Sequence, residues 1–115
     1  MIFISIPEFD KDIKRLLKKY KSIEEDLESI KSILESLPNA RPPFSYMIDN
    51  LGLKFPLIKI KKIASKSFPG KGVYSGLRLI YIYFSVEQKI IFLEIYHKNE
   101  KELEDKIRIL NYSKY

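Results

Sequence analysis

Two apolar runs joined by a short polar turn constrain this chain more than any other feature. Leu77 to Phe84 and Lys89 or Ile90 to Tyr96 are rich in β-branched and aromatic residues and stay apolar at successive positions. That is the composition of strands buried on both faces, so both belong in the middle of a sheet. Ser85 to Gln88 is short enough to close them into an antiparallel hairpin.

The remaining elements follow from periodicity. Ile2 to Ile6 alternates as a short strand and ends at Pro7, a residue tolerated in the first turn of a helix. Phe9, Ile13, Leu16, Leu17 and Tyr20 recur at spacings of three and four, which predicts an amphipathic helix whose outer face carries Lys11, Lys14, Arg15, Lys18 and Lys19. Ser22 followed by Glu25 has the spacing of a capping box, so a second helix is expected from about Ile23, with a stripe through Leu27, Ile30, Ile33, Leu34 and Leu37. The short break between the helices implies an antiparallel helix hairpin.

Pro38, Asn39, Pro42 and Pro43 end the second helix, and Asn39 to Pro56 reads as an irregular loop or a short strand. Ile58 to Ile63 alternates apolar and basic residues, which predicts a strand with one apolar and one cationic face. Asn99 followed by Glu102 is a second capping signal, and Leu103, Ile107 and Leu110 mark a short final helix. The expected fold is therefore α+β in a single domain spanning 1–115: an N-terminal strand, a helix hairpin, an antiparallel sheet of about four strands and a short C-terminal helix.

Composition removes several kinds of chemistry. The chain has 115 residues and no cysteine, which excludes disulfides, thiolate nucleophiles and Cys-ligated metals. His97 is the one histidine, so a His-rich metal site is excluded too. Neither a phosphate-binding glycine loop opening a helix nor a nucleophile elbow is present, and no cofactor is expected. No run reaches the ~18 apolar residues of a membrane span. The first seven residues lack the basic start of a signal peptide, so a cytoplasmic protein with no membrane partner is expected. The formal net charge of +6 favours a polyanion or an acidic protein as partner, although lysine-rich surfaces also serve solubility.

Three features carry candidate chemistry, each with a plainer reading beside it. Arg78 sits early in a strand otherwise built for burial. It is either structural, as an ion pair or a snorkelled strand-end arginine, or an anion site at the rim of the sheet, where a guanidinium grips a phosphate in two places. Lys59, Lys61, Lys62, Lys66 and Lys71 precede it on the neighbouring strand and loop. They either protect an edge strand from aggregation or hold a nucleic-acid backbone. Tyr96, His97 and Lys98 end the last strand, bringing together a phenol, an imidazole and an ammonium. Such a histidine is either structural or poised for acid–base work near neutral pH.

The run Gly72-Val73-Tyr74-Ser75-Gly76-Leu77-Arg78-Leu79-Ile80-Tyr81, the ending Ile95-Tyr96-His97-Lys98 and the opening basic helix with a second helix behind it resemble the RelE/ParE toxins. The resemblance covers most of the chain and is weakest from Asn39 to Pro56. For the RelE branch it implies a ribosome-dependent, metal-independent endoribonuclease, an mRNA interferase that cuts mRNA in the decoding site until an antitoxin blocks it.

It also implies roles for residues. Arg78 would stabilise charge on the scissile phosphate, and Lys66 or Lys71 would be the upstream basic group. Lys98 stands where relatives carry Lys or Arg, and His97 matches relatives that use His in acid–base chemistry. Some relatives carry a catalytic Tyr in the final helix. Here that region reads Leu103-Glu104-Asp105, so Tyr96 would substitute or His97 would make that Tyr unnecessary. Lys14 and Lys18 would meet ribosomal RNA, or simply aid solubility, and Lys59, Lys61 and Lys62 would join the nucleic-acid contacts.

The alternatives are a ParE-like inhibitor of DNA gyrase, a non-catalytic relic of the fold, and an unrelated RNA-binding sheet. The last would expose Tyr81 and Tyr83, whose alternation with Leu79 assigns them to the core instead.

Overall fold

In the computed structural model, which describes residues 1–49 and 51–112, the apolar hairpin forms as β4 (Leu77–Phe84) and β5 (Lys89–His97). The pair is antiparallel, with Leu77 opposite His97 and Phe84 opposite Lys89. Around it stand β1 (Ile2–Ser5), α1 (Pro7–Leu17), α2 (Ile23–Ser36), β2 (Ser45–Met47), β3 (Leu57–Ile60) and α3 (Lys106–Tyr112). The strand order is β1-β5-β4-β3-β2. The α+β order of elements is the expected one. The sheet, however, has five strands and is mixed, because β1 runs parallel to β5 and Ser45–Met47 adds an edge strand.

The register of β4 and β5 explains how the two faces are used. Pairing steps from Ile80–Glu94 to Tyr81–Phe92, so Leu93 is an extra residue in β5. Such a bulge bends the strand and lets apolar side chains on both sides of it turn toward one face. On that face α1 and α2 pack, with Phe9 stacked on Phe92 at 5.3 Å and Ile23, Ile30 and Leu34 buried beneath α2. Tyr81 and Tyr83 are buried here as core residues, and the Tyr81 hydroxyl donates to the Pro38 carbonyl at 2.6 Å. Burial pushes the Tyr81 phenol well above its ordinary value.

Several local expectations change in detail. α2 begins at Ile23, but Ser22 makes no side-chain cap to the backbone. Its hydroxyl instead donates to Asp26 at 2.8 Å and pairs with Ser67 at 2.6 Å, tying the helix start to the loop after β3. The final helix starts later than Asn99 and shows a different face. Asp105 caps it by accepting the Arg108 backbone N–H at 3.0 Å. Ile109 is fully buried, whereas Leu103 and Ile107 are 60% and 75% exposed. Beside Ile109 on the inward face of α3, Arg108 reaches Asp12 at 2.6 Å.

β3 is not a half-cationic edge. It lies between β4 and β2, and Lys59 is buried in an ion pair with Glu104 at 3.1 Å. Burial raises the Glu104 carboxyl, but its own backbone N–H and the Lys59 ammonium outweigh that and hold it below the ordinary carboxylate range.

Asp12 is the buried charge that joins the helices to the sheet. Pairing of β1 with β5 stops at Ser5–Phe92, so among the described residues the outer edge of β5 beyond that point has no strand to bond to. Side chains fill the gap: Asp12 accepts the Ile95 N–H at 3.2 Å, Arg108 donates to the Leu93 carbonyl at 3.0 Å, and Glu100 accepts the His97 N–H at 2.9 Å. Asp12 also pairs with Arg15 at 3.0 Å. Breaking a buried pair from one side leaves an uncompensated charge, so Asp12→Ala should lower stability by about 3–5 kcal/mol. Urea titration followed by circular dichroism measures this; a loss under about 1 kcal/mol, the range of an exposed pair, would contradict it.

Candidate functional site

A cleft of about 220 Å³ opens where β3 and β4 meet the loops beyond them. It is lined by Pro43, Tyr46, Lys61, Lys62, Tyr74, Gly76, Arg78 and Lys98. Four of these are cations and none is an acid. None of the four has a carboxylate partner among the described residues. Elsewhere Arg15, Lys31, Lys59, Lys66, Lys101 and Arg108 each hold one, while other exposed lysines such as Lys11, Lys18 and Lys19 hold none among the described residues, so the cleft is distinguished by four cations meeting in one concavity. Concentrated, unneutralised positive charge in a concave site is an anion-binding feature.

The cleft floor is built by the turn that leads into β4. Ser75 is buried, donates its hydroxyl to the Ile63 carbonyl at 2.6 Å and accepts the Leu77 N–H at 3.2 Å. Gly76 follows at φ 89, in the left-handed region that glycine favours. A β-carbon there would also sit 2.7 Å from His97 Nε2. Gly76 accepts the Lys98 N–H at 2.8 Å, which places the Lys98 stem across it. Arg78 then donates from Nη1 to the carbonyls of Lys61 at 2.9 Å and Leu77 at 3.2 Å. Its Nε and Nη2 have no partner among the described residues, so they remain available to an anion.

His97 lies beneath this floor and does not line the cleft. It is buried and stacked on Phe68 at 5.2 Å, with Tyr20 at 5.8 Å. The Asn99 N–H donates to Nδ1 at 3.1 Å, which assigns the proton to Nε2, and Nε2 donates to the Ser75 carbonyl at 2.9 Å. Both nitrogens are thus engaged within the fold. In this arrangement the ring supports the Ser75–Gly76 turn and has no free nitrogen to offer a substrate. Beside it, burial raises the Glu100 carboxyl, but the His97 backbone N–H and the Arg15 guanidinium pull it lower overall.

The other residues expected at the site divide between the cleft and distant places. Arg78, Lys98, Lys61 and Lys62 come together. Tyr96 is buried, and the Lys59 and Lys101 ammonium groups lie over its ring at 5.7 and 5.0 Å. It therefore offers no face to an incoming base. Lys66 pairs with Glu25 at the start of α2, and that hydrogen bond raises its ammonium above the ordinary value. Lys71 is exposed in the loop and does not line the cleft. Lys14 lines a separate groove against β1, at the opposite edge of the sheet, and Lys18 is exposed at the end of α1.

Tyr46 and Tyr74 are cleft residues that sequence reasoning did not single out. Tyr46 belongs to a strand too short to show periodicity, and Tyr74 lies between two glycines with no pattern to mark its role.

No family model and no curated protein matches the sequence. Among solved structures, a chain of the archaeal RelE–RelB complex from Pyrococcus horikoshii superposes with a TM-score of 0.59 at 16% identity, over 87% of this chain and 97% of that one. The fold is RelE-like. At that identity the likeness concerns the arrangement of strands and helices. It does not extend to the branch of toxins or to the chemistry of individual side chains.

Within the RelE-like fold, His97 and Lys98 are adjacent in sequence but differ in what they support. His97→Ala should cost about 2–4 kcal/mol, through a cavity and an unpaired Ser75 carbonyl. Lys98→Ala should stay within about 0.5 kcal/mol, as an exposed substitution does. Thermal melts of both variants check this, and equal losses would contradict the division.

Proposed function

We propose that this chain is the toxin of a toxin–antitoxin pair and a ribosome-dependent endoribonuclease, with the cationic cleft as its mRNA site. The observation that carries the reading is the set Lys61, Lys62, Arg78 and Lys98, gathered without a neutralising acid on a RelE-like scaffold. RNA brings its own nucleophile. The 2′-oxygen attacks the adjacent phosphorus, the bond to the 5′-oxygen breaks, and the products are a 2′,3′-cyclic phosphate and a 5′-hydroxyl. The protein must hold the phosphate, offset charge as it develops, and move one proton off the 2′-hydroxyl and one onto the leaving oxygen.

Arg78 suits charge stabilisation, because two of its nitrogens are free while Nη1 is anchored to the backbone. Preorganised donors of this kind contribute a few kcal/mol each. Lys98, held across Gly76, is the second phosphate contact. Proton transfer falls to the amino groups that line the cleft, Lys61, Lys62 and Lys98, in place of the engaged His97. This route needs no metal, because guanidinium and ammonium groups supply the charge.

The exposed basic face of α1, with Lys14 and Lys18, would contact ribosomal RNA through phosphates, and a cognate antitoxin would neutralise the toxin. The proposed setting is the cytoplasm. Among the described residues, no helix is long and apolar enough to cross a membrane.

Expression under tight induction, with mapping of mRNA ends in growing cells, tests the reading. Cleavage within translated codons should appear and fall at least ~100-fold in Arg78→Ala/Lys98→Ala. Growth arrest with intact mRNA would overturn the nuclease reading and favour a gyrase inhibitor.

A further inference from the structure

The cleft combines charge with two exposed aromatic rings in a regular arrangement. Lys61 and Lys62 are consecutive, and each sits over a different tyrosine. The Lys61 ammonium is 5.2 Å from the centre of the Tyr46 ring, and the Lys62 ammonium is 5.1 Å from that of Tyr74. Tyr46 is 38% exposed and Tyr74 is 66% exposed. Neither hydroxyl has a hydrogen-bond partner among the described residues, so neither ring is held by polar contacts. Both line the same cleft as Arg78 and Lys98.

From this we infer that Tyr46 and Tyr74 are stacking platforms for two bases of a single-stranded nucleic acid, with the intervening phosphate on the cleft cations. The inference rests on the nucleic-acid reading of the cleft, but it does not require cleavage. Aromatic side chains interleaved with cations are the means by which single strands are bound: the rings take the flat faces of unpaired bases and the cations take the backbone. In a duplex those faces are already stacked on neighbouring base pairs, so the site discriminates against paired strands. The lysine–tyrosine contacts of the free protein provide an exchange. When a phosphate enters, each ammonium has a stronger partner than the ring, and the ring face it leaves becomes available to a base.

Binding to the purified chain of a fluorescent six-nucleotide RNA, 2′-O-methylated so that it cannot be cut, tests this. The comparators are an abasic strand of the same backbone, the DNA version, and a duplex. Tyr46→Ala and Tyr74→Ala should each weaken the base-bearing strand by about 5- to 100-fold and leave the abasic strand unchanged. Arg78→Ala should weaken both. Tyr→Phe at either position should retain binding. The chain has no tryptophan, so Tyr74→Trp adds a single reporter whose emission should be quenched by the base-bearing strand alone. Circular dichroism melts confirm that each variant is folded. RNA and DNA strands binding alike would still support stacking.

Abasic and base-bearing strands binding equally, or the duplex binding as tightly as the single strand, would overturn the inference. Because the probe cannot be cleaved, stacking can hold when cells show intact mRNA, and it can fail when they show cleavage.

Discussion

One buried carboxylate organises the join between the layers. Asp12 reaches from α1 to the edge of β5 where β1 has ended, and it takes up the Ile95 N–H together with Arg15 and Arg108. A sheet edge inside a fold must satisfy its backbone groups, since each one left unpaired is costly. Here Arg108, Asp12 and Glu100 do this in sequence along the strand, at Leu93, Ile95 and His97. The consequence extends to the cleft. With its backbone fixed by Glu100, His97 is held under the Ser75–Gly76 turn, and that turn places Arg78 and Lys98. Scaffold and candidate site are therefore mechanically continuous.

Charge placement separates structure from function. Away from the cleft Lys59 and Lys101 neutralise Glu104 and Glu94, and Lys66 is taken by Glu25. In the cleft no acid performs that role. Backbone carbonyls hold Arg78 and tyrosine rings hold Lys61 and Lys62, but none of these contacts cancels the mutual repulsion, which an anion removes. The two tyrosines add flat apolar faces that a simple anion would not require.

The parts of this architecture written in local pattern were legible in the sequence. The double-faced apolarity of Leu77–Phe84 and the following strand placed them centrally, and the helix stripes placed α1 and α2. Arg78, Lys61, Lys62 and Lys98 were legible only as members of a larger candidate set that also held Lys59, Lys66, Lys71, Tyr96 and His97, and it is strand pairing that gathers these four at one end. What was not legible depends on residues far apart in the chain. Lys59 looked exposed because its partner Glu104 lies 45 positions away, and Lys66 looked like a site residue because Glu25 lies 41 positions away. The role of His97 turns on Phe68, Ser75 and Gly76, contacts that exist only after the strands pair. The inward face of α3 carries Ile109 and Arg108, the latter paired with distant Asp12, instead of the expected Leu103, Ile107 and Leu110.

The most direct test of the central claim, that this cleft cuts ribosome-bound RNA through its own 2′-hydroxyl, is the chemistry of the ends produced. Purified chain would be incubated with mRNA alone and with mRNA on programmed ribosomes, and the termini of every fragment determined. Cleavage confined to ribosome-bound mRNA, with 2′,3′-cyclic phosphate and 5′-hydroxyl ends, is the predicted result. Fragments ending in 3′-hydroxyl and 5′-phosphate, or mRNA left whole on the ribosome, would contradict it.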